Sequence, residues 1–193
     1  MSRRSIWGVC DVPQGRKVLV TGGSGMLGRP VAEALAADNE VWCAGRFSDP
    51  EVRAALEAGG INLLKWDMRT ERLEGSLDDI THVVHAAVLR DDPEDVDASV
   101  EANCFGAAAA MFACRNARAF LHVSTTGVYK GLAPDHLHVE SDPLGGQETI
   151  PSLGPYHMGK LTAEGAVRAL ARMLELPTTI ARMNIVLGPY GSG

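Results

Sequence analysis

Residues 16–28, RKVLVTGGSGMLG, constrain this chain more than any other stretch. The apolar run 18–20 reads as a buried parallel strand, and it breaks at once into a loop with glycines at 22, 23, 25 and 28. Met26, Leu27, Val31, Ala34 and Leu35 then recur at helical spacing, so a helix starts where the loop ends. The unpaired N–H groups and partial positive charge of that helix end favour an anion, most commonly a pyrophosphate. Glycine serves where a Cβ would block close approach or forbid positive φ. A glycine-rich turn that holds nothing is the plain alternative; the strand before it and the helix after it weigh against that reading.

Bulk properties narrow the rest. With 193 residues, 46% of them hydrophobic and 22% charged, the chain suits one domain with a sizeable core. Residues 1–15, with Trp7, Pro13 and Gly15, lack periodicity and read as an irregular extension; 16–193 read as the domain. A net charge of -6 argues against nucleic acid or an anionic membrane as the main partner. Cys10, Cys43, Cys104 and Cys114 show neither metal nor disulfide spacing, so reduced thiols in a cytoplasmic protein are expected. Ser2-Arg3-Arg4 resembles a twin-arginine start, but Asp11 and Pro13 interrupt before an apolar core develops, and no run of ~18 apolar residues follows anywhere.

Strand and helix signals then alternate, which predicts a doubly wound, Rossmann-like α/β fold of about six parallel strands with helices on both faces. Strands are expected at 40–44, 61–66, 82–87, 119–124 and 178–186, and helices at 50–58, 95–116 and 155–174. Ser48 or Asp49 caps the helix at 50–58, Gly59-Gly60 closes it, and 70–81 reads as a short helix and turn. Ligands of such sheets sit at the carboxyl ends of strands, which singles out several residues. Arg46, eighteen positions past Gly28 (46 minus 28), stands where an acidic residue would take an adenosine ribose; a guanidinium there suits a 2′-phosphate. NADP is therefore favoured as cofactor, with Asp49 keeping NAD compatible. Asp67 is placed either to accept from an adenine amino group or to be an ordinary turn aspartate. Ala86 and Ala87 are small enough to let backbone pass close to a cofactor, whereas His85 reads as a packed strand-end histidine outside the site.

Helix 95–116 is apolar almost throughout after Asn103, as expected of a helix covered on more than one side, by the sheet and by a second subunit or a long loop. Asn103 either bonds nearby backbone or holds a water beside a catalytic lysine. Thr125 and Thr126 end a strand, where their hydroxyls face the crevice. Residues 127–154 form a long irregular segment of the kind that covers substrates. His136 and His138 in it form a pair without an evident third ligand, so no metal is expected.

Tyr156 and Lys160 share one helix face, about a turn apart. A free tyrosine, with a pKa of about 10, is a poor base at neutral pH, and a fixed ammonium stabilises its phenolate. The same ammonium can bond ribose hydroxyls of a nicotinamide nucleotide, while a Thr125 hydroxyl holds the substrate oxygen.

TGGSGMLG, HAA at 85–87, STTGVY at 124–129, YHMGK at 156–160 with Glu164 following, and ARMNIVLGP at 181–189 together resemble the extended short-chain dehydrogenase/reductase family, of the NAD(P)-dependent sugar epimerase/dehydratase type. The resemblance covers about residues 16–190. It implies a pyrophosphate loop formed by Gly22, Gly25 and Gly28 with the backbone of Met26 and Leu27, an adenine contact at Asp67, and catalytic Thr125, Tyr156 and Lys160. It places Asn184, with Thr126, on the substrate side. Gly159 departs from the family's usual serine or threonine. Members continue for roughly another hundred residues of substrate domain by the same resemblance, so a fragment or one half of a split protein is expected here. The activity implied is oxidation or reduction at a carbinol or carbonyl carbon, as of a nucleotide sugar. The apolar surface of helix 95–116 adds the expectation of a homodimer formed through helices 95–116 and 155–174. An idle dinucleotide-binding sensor, or a subunit completed by another chain, are the alternatives.

Overall fold

The computed structural model describes residues 14–70, 72–74, 77–89, 95–131, 133, 135–145, 154–188 and 191–192. Trp7, Cys10 and the Ser2-Arg3-Arg4 start lie outside the described residues. Six strands, β1 (Lys17–Thr21), β2 (Glu40–Gly45), β3 (Asn62–Lys65), β4 (His82–His85), β5 (Ala119–Thr125) and β6 (Thr178–Met183), form one sheet in the order β3-β2-β1-β4-β5-β6. Every pairing in it is parallel. Helices α1 (Gly28–Leu35) and α2 (Pro50–Ala58) lie over one face, and α3 (Val96–Ala113) and α4 (Gly154–Met173) over the other. A two-stranded antiparallel ribbon, β7 (Leu187–Gly188) and β8 (Gly191–Ser192), follows β6. Among the described residues no helix is long and apolar enough to cross a membrane.

Strand alternation divides the core. On β1, Val18 and Val20 meet Ala32 of α1 and Leu56 of α2, whereas Leu19 joins Val83, Phe120, Ala107, Met111 and Val167 on the opposite face. This is the doubly wound sheet expected from the alternating strands and helices, and it puts the reversal of strand order between β1 and β4. Asp49 caps α2, accepting from the N–H groups of Glu51 (2.8 Å) and Val52 (3.3 Å), with Pro50 in the first turn.

Three expectations differ. Residues 70–81 carry no helix among those described; Leu73, Leu77 and Ile80, helically spaced, reach the core from irregular backbone instead. Strand β6 stops at Met183, so Asn184 lies in the exposed connection beyond it. Strand β4 stops at His85, short of the expected 87, so Ala86 and Ala87 lie in the loop after it. On helix α3, Phe105 and Phe112 are 38% and 49% exposed.

The α3/α4 face of the sheet buries two polar rings. His85 and His122, register partners on β4 and β5, stack with ring centroids 5.4 Å apart. His85 Nδ1 pairs with Thr21 Oγ1 at 2.8 Å, but neither ring nitrogen of His122 has a hydrogen-bond partner among the described residues. Burial drives His122 down to about 3, reinforced by the Lys160 charge and opposed by Glu164. Burial, then His122 and Lys160, push His85 the same way. The unfolded rings take protons below their ordinary 6.5 that the folded rings refuse, so stability present above pH 6.5 is lost as pH falls from there toward 3. Each such ring contributes a slope of about 1.4 kcal/mol per pH unit. Urea unfolding of His122→Phe between about pH 4 and 7 is therefore expected to show an acid limb shallower by about that slope; a slope equal to the parent's contradicts the assignment.

Candidate active site

The loop after β1 is shaped by crowding. Gly22 has φ of +69°, and a Cβ there would lie 2.8 Å from the Ala87 nitrogen, so the loops after β1 and β4 can touch only through glycine. A Cβ on Gly28 would collide with the Gly22 carbonyl, and one on Gly23 with the Cys43 thiol. Gly25 differs: its Cβ would meet only the Gly22 oxygen, at 3.2 Å, and otherwise point into open space. Its N–H donates to Gly22 O (2.9 Å), and its carbonyl accepts from Arg29 N–H (2.9 Å). Leu27 gives α1 no side-chain cap, and its first turn holds no acidic residue, so the positive end of α1 is uncompensated by its own side chains.

Beside this loop lies a cleft of about 410 Å³, across the carboxyl ends of β1, β2, β3 and β4. Of the candidate cofactor residues, Gly22, Gly25, Arg46, Asp67, Ala86 and Ala87 line it, whereas Met26, Leu27, Gly28, Asn103, Tyr156 and Lys160 do not; Ser24, Phe47, Met68 and Arg69 line it too and were not singled out by the sequence. Phe47 has φ of +50°, a conformation that costs a bulky residue strain and accompanies the turn out of β2 at the cleft wall. Arg46 is exposed at this edge. Asp67 is held by Arg69, whose Nη2 lies 2.6 Å from Oδ2 and whose Nε and backbone N–H donate to Oδ1 at 3.0 Å. Those hydrogen bonds, with the Arg46 charge adding to them, keep the Asp67 carboxyl at about 2.

The second half of the site is built where α4 docks on β5. Lys160 is buried and donates to the Val123 carbonyl at 2.8 Å; desolvation lowers it to about 8, against the pull of Glu164. One turn on, Glu164 is 1% exposed and accepts from Ser124 Oγ (2.7 Å), Arg182 Nε (3.0 Å) and Arg182 Nη2 (2.8 Å). Burial pushes its carboxyl up, but the bonds from Arg182 and Ser124 outweigh it, and the net direction is down. Thr125 ends β5 with Oγ1 accepting from Gly127 N–H (3.2 Å), and Thr126 opens the 3-10 turn that follows. Tyr156 stands in the first turn of α4, half-buried, its ring 5.4 Å from that of His157. The His157 ring fills the space a Cβ on Gly127 would need, which sets the 3-10 turn against the start of α4.

Asn103 belongs to the support. Its Oδ1 accepts from Leu89 N–H (3.3 Å), and its Nδ2 donates to the carbonyl of Ser99 (2.7 Å), pinning the loop after β4 to α3. Asn184 bonds the N–H of Ile185 (2.9 Å) at an exposed position. The Gly159 departure also has a cause: a Cβ there would lie 2.5 Å from Ser99 Oγ and 2.9 Å from Asn103 Nδ2. Sequence reading left Arg182 without a role. The mark it carried was a lone cation in an apolar strand, TTIARM, which needs a buried partner.

The sequence model of the NAD dependent epimerase/dehydratase family matches residues 18–193. Among solved structures, UDP-glucuronic acid 4-epimerase from Bacillus cereus, in complex with UDP-glucuronic acid and NAD, is 24% identical with a TM-score of 0.77; the alignment covers 91% of this chain and 59% of that one. UDP-N-acetylglucosamine 4-epimerase from Methanobrevibacter ruminantium M1, in complex with UDP-N-acetylmuramic acid, is 24% identical with a TM-score of 0.78, over 92% and 57%. The terminal R domain from the myxalamid PKS-NRPS pathway is 25% identical with a TM-score of 0.73, over 92% and 51%. This chain thus spans little more than half the length of these relatives. No curated protein sequence matches it.

The glycine geometry separates binding from folding. Gly25→Val, facing open space, is expected to keep a melting temperature close to the parent's and to weaken calorimetric binding of ADP-ribose at least about tenfold, because close backbone approach is what the site offers. Gly22→Ala, meeting Ala87 backbone at 2.8 Å with positive φ, is expected to lower the melting temperature itself.

Proposed function

The chain belongs to the NAD dependent epimerase/dehydratase family, and from that premise we propose that it carries the nicotinamide-dependent redox centre of an enzyme acting on a hydroxyl or carbonyl carbon of a nucleotide sugar. The observation that supports this reading is that Lys160, one turn after Tyr156 on α4, is tied to the Val123 carbonyl of β5, the strand that Thr125 ends. The cleft fits the cofactor: Gly25 leaves open the space a Cβ would fill, and the start of α1, with no side-chain cap and no acidic residue in its first turn, suits its pyrophosphate. Gly22, Gly25 and Gly28, with the Met26 and Leu27 backbone, would hold the pyrophosphate. Asp67 would take the adenine amino group. Arg46 at the exposed edge favours a ribose 2′-phosphate and hence NADP.

When bound, the nicotinamide supplies or accepts a hydride at the reacting carbon. Thr125 Oγ1 donates to the substrate oxygen and orients it, while Tyr156 Oη takes or returns the hydroxyl proton. Lys160, still charged at neutral pH, stabilises the phenolate and bonds a ribose hydroxyl with hydrogens not spent on Val123. Thr126 and Asn184 lie on the substrate side. A homodimer through the outer faces of α3 and α4 would cover the exposed Phe105 and Phe112. A second reading, a subunit completed by another chain, is favoured by Ile185 and Leu187, 81% and 77% exposed.

Tyr156→Phe is expected to abolish hydride exchange with a UDP-sugar, followed by nicotinamide absorbance, while cofactor affinity measured by calorimetry stays within about twofold. Surviving turnover would remove Tyr156 as the acid/base. NADPH is expected to bind more tightly than NADH, and Arg46→Ala to narrow the gap by about tenfold; equal affinities in the parent would refute the Arg46 assignment.

A further inference from the structure

The segment after β5 contains a cluster that the redox reading leaves unused. His136 Nε2 lies 2.6 Å and His138 Nδ1 3.0 Å from the same oxygen, Asp142 Oδ2. One ligand atom from each residue lies within 4.8 Å of the others. The two imidazoles meet edge to face at 78°, so their nitrogens converge on the carboxylate from different directions. The third ligand missing from the sequence pattern is supplied by a turn: Val139 N–H donates to Asp142 Oδ2 at 3.0 Å, and Asp142 N–H to the Val139 carbonyl at 3.0 Å, folding 142 back beneath the histidines.

We propose that His136, His138 and Asp142 bind a divalent transition ion, Zn²⁺ above all, through two imidazole nitrogens and one carboxylate oxygen. Two neutral imidazoles and one anionic oxygen suit a borderline ion, whereas Mg²⁺ and Ca²⁺ seek oxygen ligands throughout. Tetrahedral zinc with ligands at about 2.0–2.1 Å sets its donor atoms roughly 3.3 Å apart, so the two contacts of the histidines with Asp142 need to open by several tenths of an ångström.

The surroundings support the ligands. The His138 ring stacks on Tyr129 at 4.6 Å and 7°, and the Arg182 guanidinium lies over the Tyr129 ring, 4.7 Å from its centroid. Tyr129 itself pairs with Leu144 in an isolated antiparallel bridge, so both ends of the segment carrying the three ligands are tied together. With one ligand side chain packed and the ends fixed, little ordering remains to oppose the ion. The three protein ligands leave a position for water on an exposed face, where His136 and His138 are both accessible.

Calorimetric titration of the untagged full chain with ZnCl₂ at neutral pH tests this. One saturable equivalent is expected, weakened at least about tenfold by Asp142→Asn and lost in the His136→Ala/His138→Ala double variant, with MgCl₂ giving no saturable heat. These residues line no part of the proposed dinucleotide cleft, so ADP-ribose affinity of the double variant is expected to equal the parent's and serves as the check that it folds. Absence of saturable Zn²⁺ binding, equal binding of Mg²⁺, or a Zn²⁺ affinity unchanged in the double variant overturns the site. The dinucleotide reading is untouched by any of these results.

Discussion

A carboxylate that is 1% exposed cannot remain charged without partners, and Glu164 finds them on three elements. Ser124 comes from β5, Arg182 from β6 and Arg168, 3.3 Å away, from its own helix. This charge therefore fixes the register of α4 against two strands at once. Lys160 sits one turn before it and meets the Val123 carbonyl; Tyr156 sits a further turn before that. Removing either charge of such a pair leaves the other buried and unpaired, which costs about 3–5 kcal/mol, whereas the net worth of the intact pair is much smaller. Its value lies in positioning.

The same guanidinium reaches outward. Arg182 packs on Tyr129 and donates to the Glu140 carbonyl at 3.2 Å, so the core charge also anchors the segment carrying His136, His138 and Asp142. Anchoring of this kind reconciles two demands on a long connection: its backbone polar groups must stay near water, yet it must return to one place beside Thr125. The Lys130 N–H bond to the Pro143 carbonyl, 2.8 Å, is part of that closure.

How much of this was legible before the fold was known follows from the range of each interaction. Signals confined to neighbours along the chain read well: the glycine loop, the Asp49 cap, the strand–helix alternation and the Tyr156/Lys160 spacing all depend on local periodicity. What depended on distant partners did not read. Leu73, Leu77 and Ile80 have helical spacing because three core positions happen to need filling, and no local signal separates that from a helix. Asp142 was invisible as a companion of His136 and His138 because the turn at Val139 brings it back, and turn geometry is not encoded in residue type alone. Arg182 was visible as a cation in a strand, but its partner lies 18 residues earlier on another element.

Helix α3 shows how one departure from a family pattern propagates. Ser99 donates to the Pro155 carbonyl at 2.8 Å, a contact that brings the two helices so close that only hydrogen fits at position 159. Gly106 meets Met68 in the same manner, and Ala107 and Ala110 are fully buried. Small residues thus face inward, and the bulk of α3 is displaced to its outer side at Phe105 and Phe112, seven residues apart and so on one stripe. A helix apolar all round is accordingly not one buried all round. Its inward surface is specified by closeness, with Asn103 satisfied against Leu89 and Ser99, and its outward surface by large rings that remain available for association.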